Sequence, residues 1–149
     1  MKKLNRFKLI GRLINNRANI AAKEFADGVT EFNKKQKKLE ELHQIAKEYK
    51  AQLTNVDLQM SAEQFKQYHR FIDYLEFIIK QQTEVVAILK REVEKRRQIW
   101  VQCHTQNNGL KHYIEGVEAQ IIAEQLKKEQ KELDYTVSDN FFHRISTDD

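Results

Sequence analysis

"HRFIDYLEFIIK", His69 to Lys80, carries more apolar residues than one helix seam needs. Phe71, Ile72, Tyr74, Leu75, Phe77, Ile78 and Ile79 cover most of a helix circumference. A helix packing against one neighbour uses an apolar stripe of about 100°. The flanks are charged and the run is short, so it does not read as a membrane span. Either something else covers the second face, or it is exposed.

Working outward, the apolar residues fall into heptads. From Phe65 the three-four spacing reads Phe65, Tyr68, Ile72, Leu75, Ile79, Gln82, Val86, Leu89, Val93, Arg96, Trp100, Cys103, Asn107, Leu110, Ile114, Val117 and Ile121. From Leu4 it reads Leu4, Phe7, Gly11, Ile14, Ala18, Ala21, Phe25, Gly28, Phe32, Lys35, Leu39, Leu42, Ala46, Tyr49 and Leu53. Both are coiled-coil seams. Between them lies "TNVDLQMSAEQ", where Asn55 and Asp57 compete with helical backbone bonding. Ser61 and Gln64 form a capping-box pattern that restarts the chain. The spacing therefore predicts one all-α domain over residues 1–149, a long antiparallel two-helix coiled coil (an α-helical hairpin). Its first helix spans about 4–53, the connection about 54–61 and the second helix about 62–137, leaving a frayed tail at 138–149. The helices would measure ~75 Å and ~110 Å. A short connection makes them antiparallel neighbours.

Pairing positions whose numbers sum to 121 sets Ala21 against Trp100, Gly28 against Val93 and Gly11 against Leu110. Small then faces large, as interdigitating layers require. A register one heptad shorter also fits the pattern. In either register the second helix outlasts the first by some twenty residues.

Composition narrows the function classes. The chain has 149 residues, 32% charged and 40% hydrophobic, with no proline and four glycines. That favours long helices with charged flanks. The single cysteine, Cys103, excludes an internal disulfide and suits a reducing cytosol. "MKKLNRFKLIGRLINN" begins like a signal peptide, but Arg12 interrupts its apolar run and no cleavage site follows. The reading is of a cytoplasmic, soluble protein.

Catalytic chemistry finds no footing. The glycines are dispersed within heptads, so no phosphate-cradling loop exists. Cys103, His104 and His112 have no zinc-type spacing, and Cys103 occupies the seam. No catalytic residue, cofactor or metal is expected. "KKQKK" at 34–38 lacks interleaved aromatics and precedes "LEEL", so it reads as a solvated face and not a nucleic-acid stripe.

Charge is unevenly placed. Lys2, Lys3, Arg6, Lys8, Arg12, Arg17 and Lys23 precede the first acid, whereas the last residues are predominantly acidic. Each helix is then charged against its own macrodipole. In an antiparallel hairpin the basic start lies beside the acidic end and offsets it. An acidic partner surface is the other reading. Beyond the first helix, Ile122, Leu126 and Leu133 keep a partial apolar stripe with nothing left to cover it. With Ile72, Leu75 and Ile79 spent on the seam, Phe71, Tyr74, Phe77 and Ile78 remain, beside Ile45 of the first helix. Val56, Leu58 and Met60 could fold over part of this surplus; a binding surface is the alternative.

"KKLEELHQIAKEYKAQL", "QYHRFIDYLEFIIKQQ", "VEKRRQIW" and "LKKEQKELDY", in that order, resemble the FliJ family of the flagellar type III export apparatus. The resemblance runs from about Phe25 to Tyr135. It implies a non-enzymatic antiparallel coiled coil similar to the central stalk of rotary ATPases. Its termini end would enter the hexameric export ATPase, on Lys2, Lys3, Arg6, Lys8, Arg12, Ile122, Leu126 and Leu133. The family also contacts the cytoplasmic part of the membrane export gate and handles export chaperones. Carried over residue by residue, the gate-facing surface falls on Leu42, Ile45, Tyr49, Phe71, Leu75, Ile78 and Gln82; Tyr74 joins it from the apolar surplus. The protein would then work at the cytoplasmic face of the inner membrane, peripheral to it through partners alone. A coiled-coil adaptor or chaperone of a virulence-type secretion system would share every heptad.

Overall fold

A computed structural model describes residues 2–54 and 60–147. It is all-α: helix α1 runs Lys2–Thr54 and helix α2 runs Ala62–Thr147, and the two pack against each other. The start of α2 is the reciprocal cap that the sequence encodes. Gln64 N donates to Ser61 Oγ at 3.2 Å, and Ser61 N donates to Gln64 Oε1 at 3.3 Å. Asn55, Val56, Asp57 and Leu58, expected to turn the chain and cover the surplus, lie outside the described residues; Met60 is half-buried.

The chain divides into two compact units, one of residues 1–16 with 104–149 and one of residues 17–103. In the second unit the core is Ala18, Ala21 and Cys103, with Trp100 packed against it. Phe25 stacks on the Trp100 indole at 5.9 Å between centroids. A Cβ added at Gly28 would stand 3.5 Å from Val93 and 3.2 Å from the Arg96 stem. In the first unit a Cβ at Gly11 would meet Leu110 at 3.7 Å and Ile114 at 3.3 Å. Each expected pairing is thus present. At these layers a small residue lets the opposing large side chain reach across the seam.

Burial follows the heptads closely. Each α1 seam position from Leu4 to Leu53 is buried or half-buried, and so is each α2 seam position from Tyr68 to Ile121. Phe65, read as the first seam residue of α2, is 43% exposed. It turns instead onto the His69 ring, 4.6 Å away between centroids. Polar seam residues are accommodated individually. Asn107, buried, donates from Nδ2 to Asn15 Oδ1 at 3.0 Å, and Arg96 donates from Nη1 to the Glu24 carbonyl at 2.9 Å.

The expected frayed tail needs correction, because α2 continues as helix to Thr147. "TVSDNFFHRIST" is poor in strong helix formers, yet it holds neither proline nor glycine, the residues that stop a helix outright. Its hydroxyls bond back into the helix: Thr136 to the Glu132 carbonyl at 2.8 Å, and Thr147 to the His143 carbonyl at 3.0 Å. That placement keeps Ser and Thr from competing with the helical backbone.

Candidate functional surfaces

Heptad geometry gives each packed helix pair two edges, one on either side of the seam. In the unit of residues 17–103 those edges differ in chemistry. One carries the cross-helix ion pair of Lys50 Nζ with Glu76 Oε1 at 2.6 Å. Arg97, on the same side, is held by Glu94, with Nη2 to Oε1 at 2.7 Å. Hydrogen bonding by Arg97 lowers the Glu94 carboxyl below its ordinary value, and the charge of Arg97 acts the same way. The other edge presents Ile45 at 38% exposure, Phe71 at 39% and half-buried Ile78. One edge thus carries ion pairs, and the other gathers these apolar side chains.

On the apolar edge the sequence-selected residues form one aromatic platform. The Tyr49 ring lies 4.7 Å from Phe71 and 5.7 Å from Tyr68 between centroids. Tyr49 itself is half-buried, as are the seam residues Leu42 and Gln82. Tyr74, 60% exposed, and Phe77, 56% exposed, extend the apolar surface outward. Leu75 corrects the carried-over surface: it is 5% exposed and belongs to the seam, so no partner reaches its side chain without opening the helix pair.

The unit of residues 1–16 with 104–149 holds the second candidate surface. Lys2, Lys3, Arg6, Lys8 and Arg12 are all exposed on α1. Lys8 Nζ pairs with Glu118 Oε1 at 2.8 Å, so part of the basic start is neutralised across the helices. From Ile122 to Thr147 every residue of α2 is exposed, including Ile122 at 57%, Leu126 at 60% and Leu133 at 65%. Sequence reasoning missed the companions of this stripe. Leu9, Ile10 and Leu13 are each at least 45% exposed on the outside of α1. Their signal lay in "LIGRLI", which holds more apolar residues than the Gly11 and Ile14 seam uses.

Cys103 is a buried core thiol. Asn108 Nδ2 lies 3.2 Å from His104 Nε2 on the exposed side of α2. Among the described residues no three His, Cys, Asp or Glu side chains gather into a group able to hold a metal ion. No helix of the described residues is long and apolar enough to cross a membrane.

The family described as Flagellar FliJ protein matches residues 2–146, almost the entire chain. Comparison with curated proteins and comparison with solved structures each gave no match.

Proposed function

The chain belongs to the flagellar FliJ family, a non-catalytic component of the flagellar export apparatus, and from that premise we propose that it couples the export ATPase to the export gate. One observation carries the ATPase assignment. The exposed cations Lys2, Lys3, Arg6 and Arg12 share a compact unit with a helix whose apolar residues Ile122, Leu126 and Leu133 have no covering helix. An exposed apolar stripe rimmed by charge is a docking surface. The family resemblance supplies its occupant, the hexameric export ATPase, which this end enters like a central stalk.

The platform of Tyr49, Phe71, Tyr74 and Ile78, with Leu42, Ile45 and Gln82 around it, receives the cytoplasmic part of the export gate. Aromatic side chains with half their surface free are the anchors that dominate interface energies. Handling of export chaperones completes the role, and the protein works in the cytoplasm, bound to the inner membrane only through the gate. A pull-down from purified components tests the reading. Full-length protein retains both ATPase and gate domain; L126S/L133S retains gate domain alone. Retention of the ATPase by that variant would refute the assignment.

A further inference from the structure

Gly109 and Gly116 stand in the interior of α2, where glycine is the least favourable residue after proline. At Gly11 and Gly28 the structure shows what is gained: a Cβ there would stand 3.3 Å and 3.2 Å from side chains of α2. Gly109 and Gly116 have no such neighbour, and nothing lies within 4 Å of a Cβ added at either. They share one heptad position on the side of α2 turned away from the seam, where a second three-four run extends from Thr105 to Val137. The first half of that run is small, with Gly109, Gly116 and Ala119. The second half is large, with Leu126 at 60% exposure, Leu133 at 65% and Val137 at 62%. The run lies wholly in the unit of residues 1–16 with 104–149, and each of its residues is exposed.

We infer that this outer face of α2 pairs with the same face of a second copy, antiparallel, about a two-fold axis at Ile121. Positions whose numbers sum to 242 then meet. Gly109 faces Leu133, Gly116 faces Leu126, Thr105 faces Val137, and Ala119 faces Ala123 beside the axis. The run's two large polar residues, His112 and Gln130, meet each other. Small thus faces large wherever an aliphatic residue occurs, as across the seam of the hairpin itself. An isologous interface requires a face that matches its own reverse, and a second copy supplies that match by symmetry. Charge agrees with the pairing. Across the hairpin the flanking pair Lys8–Glu118 has numbers that sum to five more than the seam pairs. The same offset to either side sets Lys127 beside Gln120, Asp134 beside Tyr113, Glu129 beside Asn108 and Glu115 beside Ile122 of the other copy. Those four are the charged residues flanking the run, and no like charges meet. On the assignment proposed above, the export ATPase takes the same Leu126 and Leu133, so the pair is then a resting form that parts before docking. That consequence rests on the ATPase reading, and the pairing itself does not.

The test uses the full-length protein alone, so its outcome is separable from failure of the ATPase assignment. Sedimentation equilibrium over a concentration series shows the wild-type mass rising from one chain toward two. Dilution parts the pair, so the folding stability of one chain is read apart from it. Gly116→Leu and Leu126→Ala each weaken association by about tenfold or more, since each fault occurs twice in a symmetric pair. Both sites are exposed, so the helical circular dichroism is kept. The double variant G116L/L126A regains association, because a large residue again faces a small one. A nitroxide on Lys111→Cys, in a Cys103→Ala background, reports a separation between copies of ~30 Å or more, ten residues of helix from the axis on each side. A single chain at every concentration, or a pair indifferent to Gly116→Leu, overturns the inference. So does a double variant that fails to recover, or a short label distance, which parallel pairing would give.

Discussion

Arg96 lies across Gly28, with its Cδ 3.2 Å from where a glycine Cβ would stand and its Nη1 2.9 Å from the Glu24 carbonyl. A cation in a hydrophobic seam is costly unless it is paired or hydrogen-bonded. Here the missing side chain of Gly28 opens a channel through which the Arg96 stem packs apolar surface and the guanidinium leaves the seam. Glycine and arginine are therefore one structural unit.

Glycine substitutions should separate that unit from ordinary helix propensity. Nothing lies within 4 Å of a Cβ added at Gly109 or Gly116. G109A and G116A should each raise the unfolding free energy by about 0.5–1 kcal/mol, the usual gain from glycine to alanine in a helix interior. G28A should gain less or lose, because Arg96 must shift and its bond to Glu24 lengthens. Urea titration of the three variants, followed by circular dichroism, checks the order.

Replacing Asn107 by Leu should stabilise the chain by about 1 kcal/mol or more. Asn107 is 6% exposed and its amide finds one cross-helix partner, Asn15. A polar residue at a seam position costs stability and fixes register. Half-buried Asn15 can turn to water in the variant, so no orphan is left. The measurement is the urea midpoint at unchanged slope; a lower midpoint would show that the Asn pair stabilises outright.

Spin labels at Gln36 and Lys90 report register in the unit of residues 17–103. Both are exposed, on the same edge as the Lys50–Glu76 pair. Double electron–electron resonance should give a short, narrow distance. Slippage by one heptad would lengthen it through an axial shift of ~10 Å.

Phe71 and Leu75 should behave oppositely despite standing four residues apart. Leu75→Ala should cost about 2–5 kcal/mol of folding stability, the range for a buried leucine. Tyr74→Ala, at 60% exposure, should leave melting nearly unchanged, and Phe71→Ala, at 39% with its ring against Tyr49, should cost less than Leu75→Ala; both should weaken gate binding, by about 2 kcal/mol for each true anchor. Normal gate affinity in the Phe71 and Tyr74 variants would remove the platform from the docking surface.

Deleting residues 123–149 should abolish stimulation of the export ATPase while circular dichroism still shows a helical chain. The seam ends at half-buried Ile121, and every described residue beyond it is exposed, so folding loses little. A truncated protein that stimulates fully would assign ATPase binding to the basic start of α1 alone.

The structure chose between the two registers that the heptads allow, giving the Gly28–Val93 and Gly11–Leu110 pairings; heptad spacing by itself determined the two helices and their seam residues other than Phe65. Those features follow from periodicity, and periodicity is local and additive along the chain. The Ser61 cap was legible for the same reason, since its partners are three residues apart. The end of α2 was not: Ser, Thr and Asp favour leaving a helix, yet α2 continues to Thr147, with the Thr136 and Thr147 hydroxyls donating to carbonyls four residues back. The candidate surfaces were half legible. Sequence marked Phe71, Ile78, Leu126 and Leu133 as surplus, but it could not tell exposed Phe71 from buried Leu75. Nor could it reveal the Lys50–Glu76 ion pair across the opposite edge. Burial and charge balance depend on which residues a second helix brings alongside, and that neighbour comes from dozens of residues away in the chain.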